Sequence, residues 1–232
     1  MGFQIVNAQS LSPSSKWHWD KGTIVIDTPE RPAGQEHVLG LTAAPIKTVR
    51  VGFVGLGMRG PSAVIRFCQI PGVEIVALCD YEEKRAEAQQ RHLRNAGLAP
   101  AAIYYGEKGY EELCKRPDVD LIYIATDWNH HFPVAKCAME NGKHAAIEVP
   151  SAMNLEQCWN LIDLSEKTRL HCFILENCCY DDYEMKSLLM AQDGIFGEVI
   201  RAEGAIFTSC LNSGSITGKT RMTMIRTTFI GV

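Results

Sequence analysis

The chain has 232 residues, a formal net charge of −4, 46% apolar and 22% charged residues, 19 glycines and 10 prolines. That profile belongs to a folded globular chain and excludes a disordered, collagen-like or disulfide-scaffold protein. The mildly acidic balance, without basic clusters, speaks against nucleic acid as a partner, since that affinity comes mostly from phosphate neutralisation; no apolar run reaches the roughly 18 residues of a membrane span.

The first eight residues, MetGlyPheGlnIleValAsnAla, lack a charged start, while Val6-Asn7-Ala8 has the small-x-small look of a signal-peptidase site. Two locations stay open: periplasmic or secreted if this start is the remnant of an export signal, cytoplasmic otherwise. Residues 1–47 are expected to be an N-terminal extension. Pro13, Pro29, Pro32 and Pro45 and the lack of a sustained period predict an extended arm on the surface of a later domain.

At Thr48 the character changes. ThrValArgValGlyPheValGlyLeuGly reads as a buried parallel strand ending in glycines. A helix to about Gln69, a strand Val73–Leu78 and a charged helix from Tyr81 to about Ala96, closed by Gly97, follow. Next come a strand Ile103–Tyr105, a helix Gly109–Cys114, a strand Val119–Ala125 and a helix Phe132–Glu140 stopped by Asn141-Gly142. The strand His144–Glu148, the helix Leu155–Thr168 capped by Asn154, the strand His171–Glu176 and the helix Asp182–Gln192 complete the alternation. Such regularity implies right-handed crossovers and a doubly wound parallel sheet of α/β class, with helices on both faces. The nine cysteines, among them Cys68, Cys79, Cys114, Cys137, Cys158, Cys172, Cys178, Cys179 and Cys210, contain no CxxC pair and are expected to be small core residues, with no metal bound.

Gly55-Leu56-Gly57-Met58-Arg59-Gly60 is a G-x-G-x-x-G between a buried strand and a helix. Gly55 permits the tight turn, Gly57 lets the backbone approach a pyrophosphate, and Gly60 lets helix and strand pack closely. The following helix N-terminus offers N–H groups and partial positive charge. Asp80, about 20 residues further at the end of the second strand, can accept both ribose hydroxyls of an adenosine half. Together with Glu82 and Glu83 it repels a 2′-phosphate, so NAD is expected rather than NADP.

Residues just beyond the later strand ends line the ligand crevice of such a sheet. Trp128 and His131 can meet the nicotinamide half from there, although a solvent-facing loop histidine fits the sequence as well. Glu148 ends the next strand on the cofactor side, before Val149-Pro150. The last strand runs into Leu175-Glu176-Asn177-Cys178-Cys179-Tyr180-Asp181, where Tyr180 can accept a proton if nearby positive charge lowers its pKa from about 10; a packed tyrosine is the other reading.

From Thr48 to about Ala205 the chain resembles the sugar oxidoreductases that include glucose–fructose oxidoreductase and inositol dehydrogenase, which join a Rossmann domain to a second domain built on an open sheet. Most of those carry Glu-Lys-Pro where this chain has Glu148-Val149-Pro150, and the missing lysine puts ordinary dehydrogenase activity in doubt. With GlyLeuGlyMetArgGlyPro, TrpAsnHisHis, GluAsnCysCysTyrAsp and GlyGluValIleArgAlaGluGly, the sequence resembles glycoside hydrolase family 109, the NAD-dependent α-N-acetylgalactosaminidases. The resemblance implies that Met58, Arg59, Asp80, Trp128, Asn129, His130, His131, Glu148, Val149 and Asn177 contact NAD. It implies catalytic roles for Tyr180, as the base, and for Glu148. The chemistry it implies is oxidation at sugar C3, loss of the C2 proton to Tyr180, elimination, water addition and return of the hydride, an exception to the usual carboxylate pair.

These readings divide the chain into an extension (1–47), an NAD-binding Rossmann domain (48–170), the start of a truncated α+β substrate domain (171–205) and a tail (206–232) that departs from the family. AlaGluGlyAla runs on into Ile206-Phe207-Thr208 where the family has Tyr-Ile-His; a base lost near codon 205 would give such a break, and a genuine, divergent tail is the other reading. The tail shows neither strand alternation nor a helix stripe. A sugar or glycan terminus is the expected partner and the full-length form a homo-oligomer. The chain as it stands is expected to be inactive and to bind NAD weakly. A sugar oxidoreductase and a non-catalytic NAD module are the alternatives.

Overall fold

The computed structural model describes residues 17–26, 30–177, 179–197, 201–208 and 223–230. The chain divides into two compact units, Met1–Glu176 and Asn177–Val232.

The first unit begins with a hairpin of β1 (Trp17–Asp20) and β2 (Thr23–Ile26), paired antiparallel with Trp17 opposite Ile26. Its two-residue turn, Lys21-Gly22, has φ of 46° and 84°, the doubly positive geometry that matches strand twist. The expected arm therefore contains a hairpin, formed because β-branched and aromatic residues flank a turn able to adopt that conformation.

The six parallel strands that follow are β3 (Val49–Val54), β4 (Val73–Asp80), β5 (Ala102–Tyr105), β6 (Leu121–Ile124), β7 (His144–Ile147) and β8 (Cys172–Ile174), in the order β5-β4-β3-β6-β7-β8. The helices between them are α1 (Gly60–Phe67), α2 (Glu83–Asn95), α3 (Gly109–Cys114), α4 (Trp128–Glu140) and α5 (Leu155–Thr168). Alternate residues of β3 enter opposite cores. Val51 and Phe53 pack with Ala63 and Val64 of α1 and Ala86 and Leu93 of α2. Val54 packs with Leu113 of α3, Val134 and Met139 of α4 and Leu161 of α5. This is the doubly wound sheet the alternation predicts, and its strand order reverses between β3 and β6. Phe53 stacks on Tyr123 at 4.9 Å, and Phe67 meets both edge-on at 5.2 and 5.4 Å, which fixes the Tyr123 ring.

β8 is hydrogen-bonded to β7, with Ala145 opposite Cys172, so the sheet extends past residue 170 and this unit ends at Glu176. α4 starts at Trp128 rather than Phe132 because the Asp127 carboxylate accepts the Asn129 N–H at 3.0 Å and caps the earlier turn. Asn154 caps α5 as expected, accepting from Gln157 N–H at 2.9 Å. The irregular stretch after the hairpin is tied to α5. The Arg31 guanidinium forks onto the Glu166 carboxylate at 2.9 and 3.0 Å, and the Gln35 amide donates to Glu166 at 3.0 Å.

Cys79 and Cys114 are buried and Cys68, Cys137 and Cys172 half-buried, whereas Cys158 and Cys179 are exposed. Burial pushes the Cys79 thiol up to about 12, as an inert core thiol requires. Cys178 and Cys210 lie outside the described residues. Among the described residues no group of three or more ligating side chains is placed to hold a metal, and no helix is long and apolar enough to cross a membrane.

At the opposite end of the strands from the glycine turn, the His171 N–H donates to His144 Nδ1 at 2.9 Å. Burial, and then the charge of neighbouring His171, hold the His144 imidazole below its ordinary value, against a smaller pull from Asp120. The unfolded chain takes up a proton near pH 6.5 that the folded imidazole resists, so stability is full above that value and falls as pH drops below it. Urea unfolding at about pH 7.5 and about pH 5.5 should show the decline, and His144→Gln should flatten it. The Asp120 carboxylate, held low by its Arg50 hydrogen bonds, keeps its contribution through that window.

The second unit contains α6 (Asp182–Gln192) and a two-stranded antiparallel sheet of β9 (Arg201–Thr208) and β10 (Thr223–Ile230). The tail, expected to lack a strand, supplies β10, in register with Thr223 opposite Thr208. ThrMetIleArgThrThrPheIle is rich in β-branched and aromatic residues, enough for an edge strand without strict alternation. Leu188 and Leu189 of α6, and Ile195 and Phe196 after it, are exposed.

Candidate functional site

The end of β3 dictates its own turn. Gly55 sits at φ 95°, and a Cβ there would lie 2.4 Å from the Ala125 backbone carbonyl at the end of β6. A Cβ on Gly60 would lie 2.1 Å from the Gly55 oxygen. These two glycines are demands of the turn itself. Gly57 differs: the nearest atom to its missing Cβ is Arg85 Nη1, 3.7 Å away, so its bareness leaves the cleft floor clear. α1 opens straight from this loop with Pro61 in its first turn and no side chain capping it.

Asp80 ends β4 and is 6% exposed. Its Oδ2 accepts the Leu56 N–H at 2.7 Å and its Oδ1 accepts the Glu82 N–H at 3.0 Å. A carboxylate has about four acceptor positions, so two backbone bonds leave capacity for ribose hydroxyls. One cleft of about 620 Å³ runs across the ends of β3, β4 and β6, lined by Gly55, Gly57, Met58, Asp80, Thr126 and His130, among others. It lies at the reversal of strand order, where ligands of such sheets bind. The bare Gly57, the adjoining helix N-terminus and a ribose-capable carboxylate on one cleft fit a dinucleotide.

The remaining expected residues distribute differently. Arg59 Nε donates to Glu148 Oε1 at 3.0 Å, and the Tyr123 hydroxyl donates to the same oxygen at 2.6 Å. Glu148, 9% exposed, thus ties the glycine loop to the end of β7. Burial and then the Glu148 bond hold the Tyr123 phenol above its ordinary value, so it stays a donor. The Glu148 hydrogen bond raises Arg59 and keeps it charged. Trp128 and Asn129 are exposed on the first turn of α4, and Val149 is exposed beyond β7. His131 is 1% exposed and faces inward, Nδ1 2.6 Å from the Pro150 carbonyl and Nε2 3.2 Å from that of Thr126. Its neighbour His130, hydrogen-bonded to Asp127, is the histidine that lines the cleft. Asn177 and Tyr180 belong to the second unit, where Tyr180 is exposed in the turn before α6.

Sequence reasoning passed over Arg85, Tyr81, Glu107, Tyr110 and Thr126, all of which line the cleft. Arg85 carried a signal: a cation in the first turn of the helix that follows the acidic strand end.

An oxidoreductase family described by its NAD-binding Rossmann fold matches residues 49–175. Glycosyl hydrolase family 109 protein 3 of Phocaeicola vulgatus is 78% identical over 200 residues, covering 86% of this chain and 36% of that protein. Glycosyl hydrolase family 109 protein 1 of Bacteroides thetaiotaomicron is 57% identical over 183 residues, 78% of this chain and 39% of its own length. The chain thus spans well under half the length of these curated relatives. The structure of myo-inositol dehydrogenase from Lactobacillus casei, in complex with NAD(H) and myo-inositol, aligns at TM-score 0.62 over 72% of this chain and 48% of that one; at 23% identity the likeness is one of fold. The fold, the glycine turn and these relationships agree: the chain belongs to the oxidoreductase family with an NAD-binding Rossmann fold and, within it, to glycosyl hydrolase family 109.

Proposed function

We propose that this chain carries the NAD-holding part of a glycosidase acting on α-N-acetylgalactosaminides. The observation that carries the proposal is the cleft that sets the bare backbone of Gly57 opposite the Asp80 carboxylate at the reversal of strand order. In this reading Gly57 and the α1 N-terminus take the pyrophosphate, and Asp80 takes the adenosine ribose. Arg59, clamped by Glu148, holds the loop in place, so Glu148 acts by positioning the glycine loop as well as by facing the cofactor side. Met58, His130, Trp128, Asn129 and Val149 flank the remaining length of the dinucleotide, with His131 supporting the turn from beneath through two backbone carbonyls. When bound, NAD supplies a reversible hydride acceptor for the sugar. Tyr180, with Asn177 beside it in sequence, is the proposed acceptor of the sugar C2 proton. Support comes from membership of family 109 and from Val149 standing where a hydride-assisting lysine would be.

The test joins residues 30–205 to the rest of the 78% identical relative and supplies a chromogenic α-N-acetylgalactosaminide. Release of the chromophore without net NADH is expected, and Tyr180→Phe should lower it by about two to four powers of ten, as loss of a general base does. Accumulating NADH with free sugar would mark a sugar dehydrogenase instead.

A further inference from the structure

Arg85 stands between two carboxylates on the rim of the cleft. Its Nη2 lies 2.8 Å from Glu82 Oε1, and its Nη1 lies 3.6 Å from Asp80 Oδ1. The same Nη1 is the atom nearest the bare face of Gly57. Arg85 lines the cleft and its side chain is 47% exposed, so the guanidinium has room to move. Glu82 has less freedom, because its second oxygen engages Lys84 Nζ at 2.8 Å. Two cations therefore hold the Glu82 carboxylate, and the Lys84 bond, followed by the charge of Arg85, keeps it below the ordinary carboxylate range.

A guanidinium is the side chain best shaped to take a phosphate in a forked pair of hydrogen bonds. In Rossmann folds an arginine near the ribose is what accommodates a 2′-phosphate. Here that arginine is present and is drawn to the rim by a carboxylate. We propose that Glu82 is a specificity-determining residue for the dinucleotide, because it occupies the Arg85 guanidinium beside Asp80 and leaves a latent phosphate-binding residue unused. The inference rests on the NAD-holding reading above. It assigns to Glu82 acting on Arg85 a share in the exclusion of NADP, beside the direct repulsion of a 2′-phosphate by the Asp80 carboxylate.

The experiment is calorimetric titration of the full chain with NAD⁺ and with NADP⁺, for the parent, Glu82→Ala, Glu82→Gln and Glu82→Ala/Arg85→Ala. Glu82→Ala should tighten NADP⁺ binding about tenfold or more, the scale of one charge-assisted forked contact. NAD⁺ affinity should change less than about threefold in the same variant, because no ribose partner is removed. Glu82→Gln, which keeps the shape and removes the charge, should give a smaller gain of the same sign. The double variant should return NADP⁺ to the parent value, and the gain should shrink with added salt. Unchanged NADP⁺ affinity in both single variants, or a gain that survives the loss of Arg85, would overturn the proposal while leaving NAD binding intact. A parent that takes up neither dinucleotide would overturn this inference and the reading beneath it together.

Discussion

Gly55→Ala is expected to abolish NAD uptake and to destabilise the chain by about 2–5 kcal/mol, the range for backbone strain combined with overpacking. The added methyl would meet the Ala125 carbonyl carbon and oxygen at 2.4 Å, and these are backbone atoms at a strand end with no rotamer to change. The φ of 95° is itself unfavourable for any residue with a Cβ. Relief requires β3 and β6 to part at their tips, where the dinucleotide is proposed to lie. Gly57→Ala supplies the contrast. Its Cβ would meet nothing nearer than a mobile guanidinium 3.7 Å away, so thermal stability should stay within about 1 kcal/mol of the parent while NAD affinity falls. Paired melting and binding curves separate the two. A Gly57→Ala chain that both melts normally and binds NAD normally would remove the pyrophosphate from this loop.

The second large effect is expected at Asp80. Its carboxylate accepts one N–H from the glycine loop and one from the turn into α2, so it couples the two segments that frame the cleft. Asp80→Ala leaves the buried Leu56 N–H without its acceptor, at a cost of about 1–3 kcal/mol. It also removes the proposed ribose partner, which should weaken NAD by about 100-fold, the scale of two lost hydrogen bonds to a charged group. Asparagine is not a neutral replacement. Its amide nitrogen would face one of the two backbone N–H groups, donor against donor, so Asp80→Asn should retain part of the stability and little of the binding.

Much of the sheet was legible because most strands are short apolar runs, and β3, β4, β5 and β7 are closed directly by glycine or an acidic residue. The glycine turn and Asp80 were legible for the same reason: their roles are set by backbone conformation and by position at a strand end. What escaped depends on contacts across the chain. Nothing near Tyr123 announces that its hydroxyl reaches Glu148, 25 residues on, through a ring fixed by Phe53 and Phe67. The choice between His130 and His131 depends on helix phase. With α4 starting at Trp128, His131 shares a face with Val134, Ala135 and Ala138, three, four and seven positions on, and that face is the core. A helix begun at Phe132 leaves both histidines in a loop and hides the distinction. The β1–β2 hairpin was missed because Lys21-Gly22 lacks the Asn-Gly or Asp-Gly signature of such turns.

A co-crystal structure of the full chain with NAD decides most directly whether this cleft is a cofactor site. The diphosphate should rest on the Gly57–Met58 backbone, with the adenosine ribose hydroxyls on Asp80. Density for the dinucleotide elsewhere on the molecule, with Asp80 touching nothing but Leu56, Glu82 and Arg85, would contradict it.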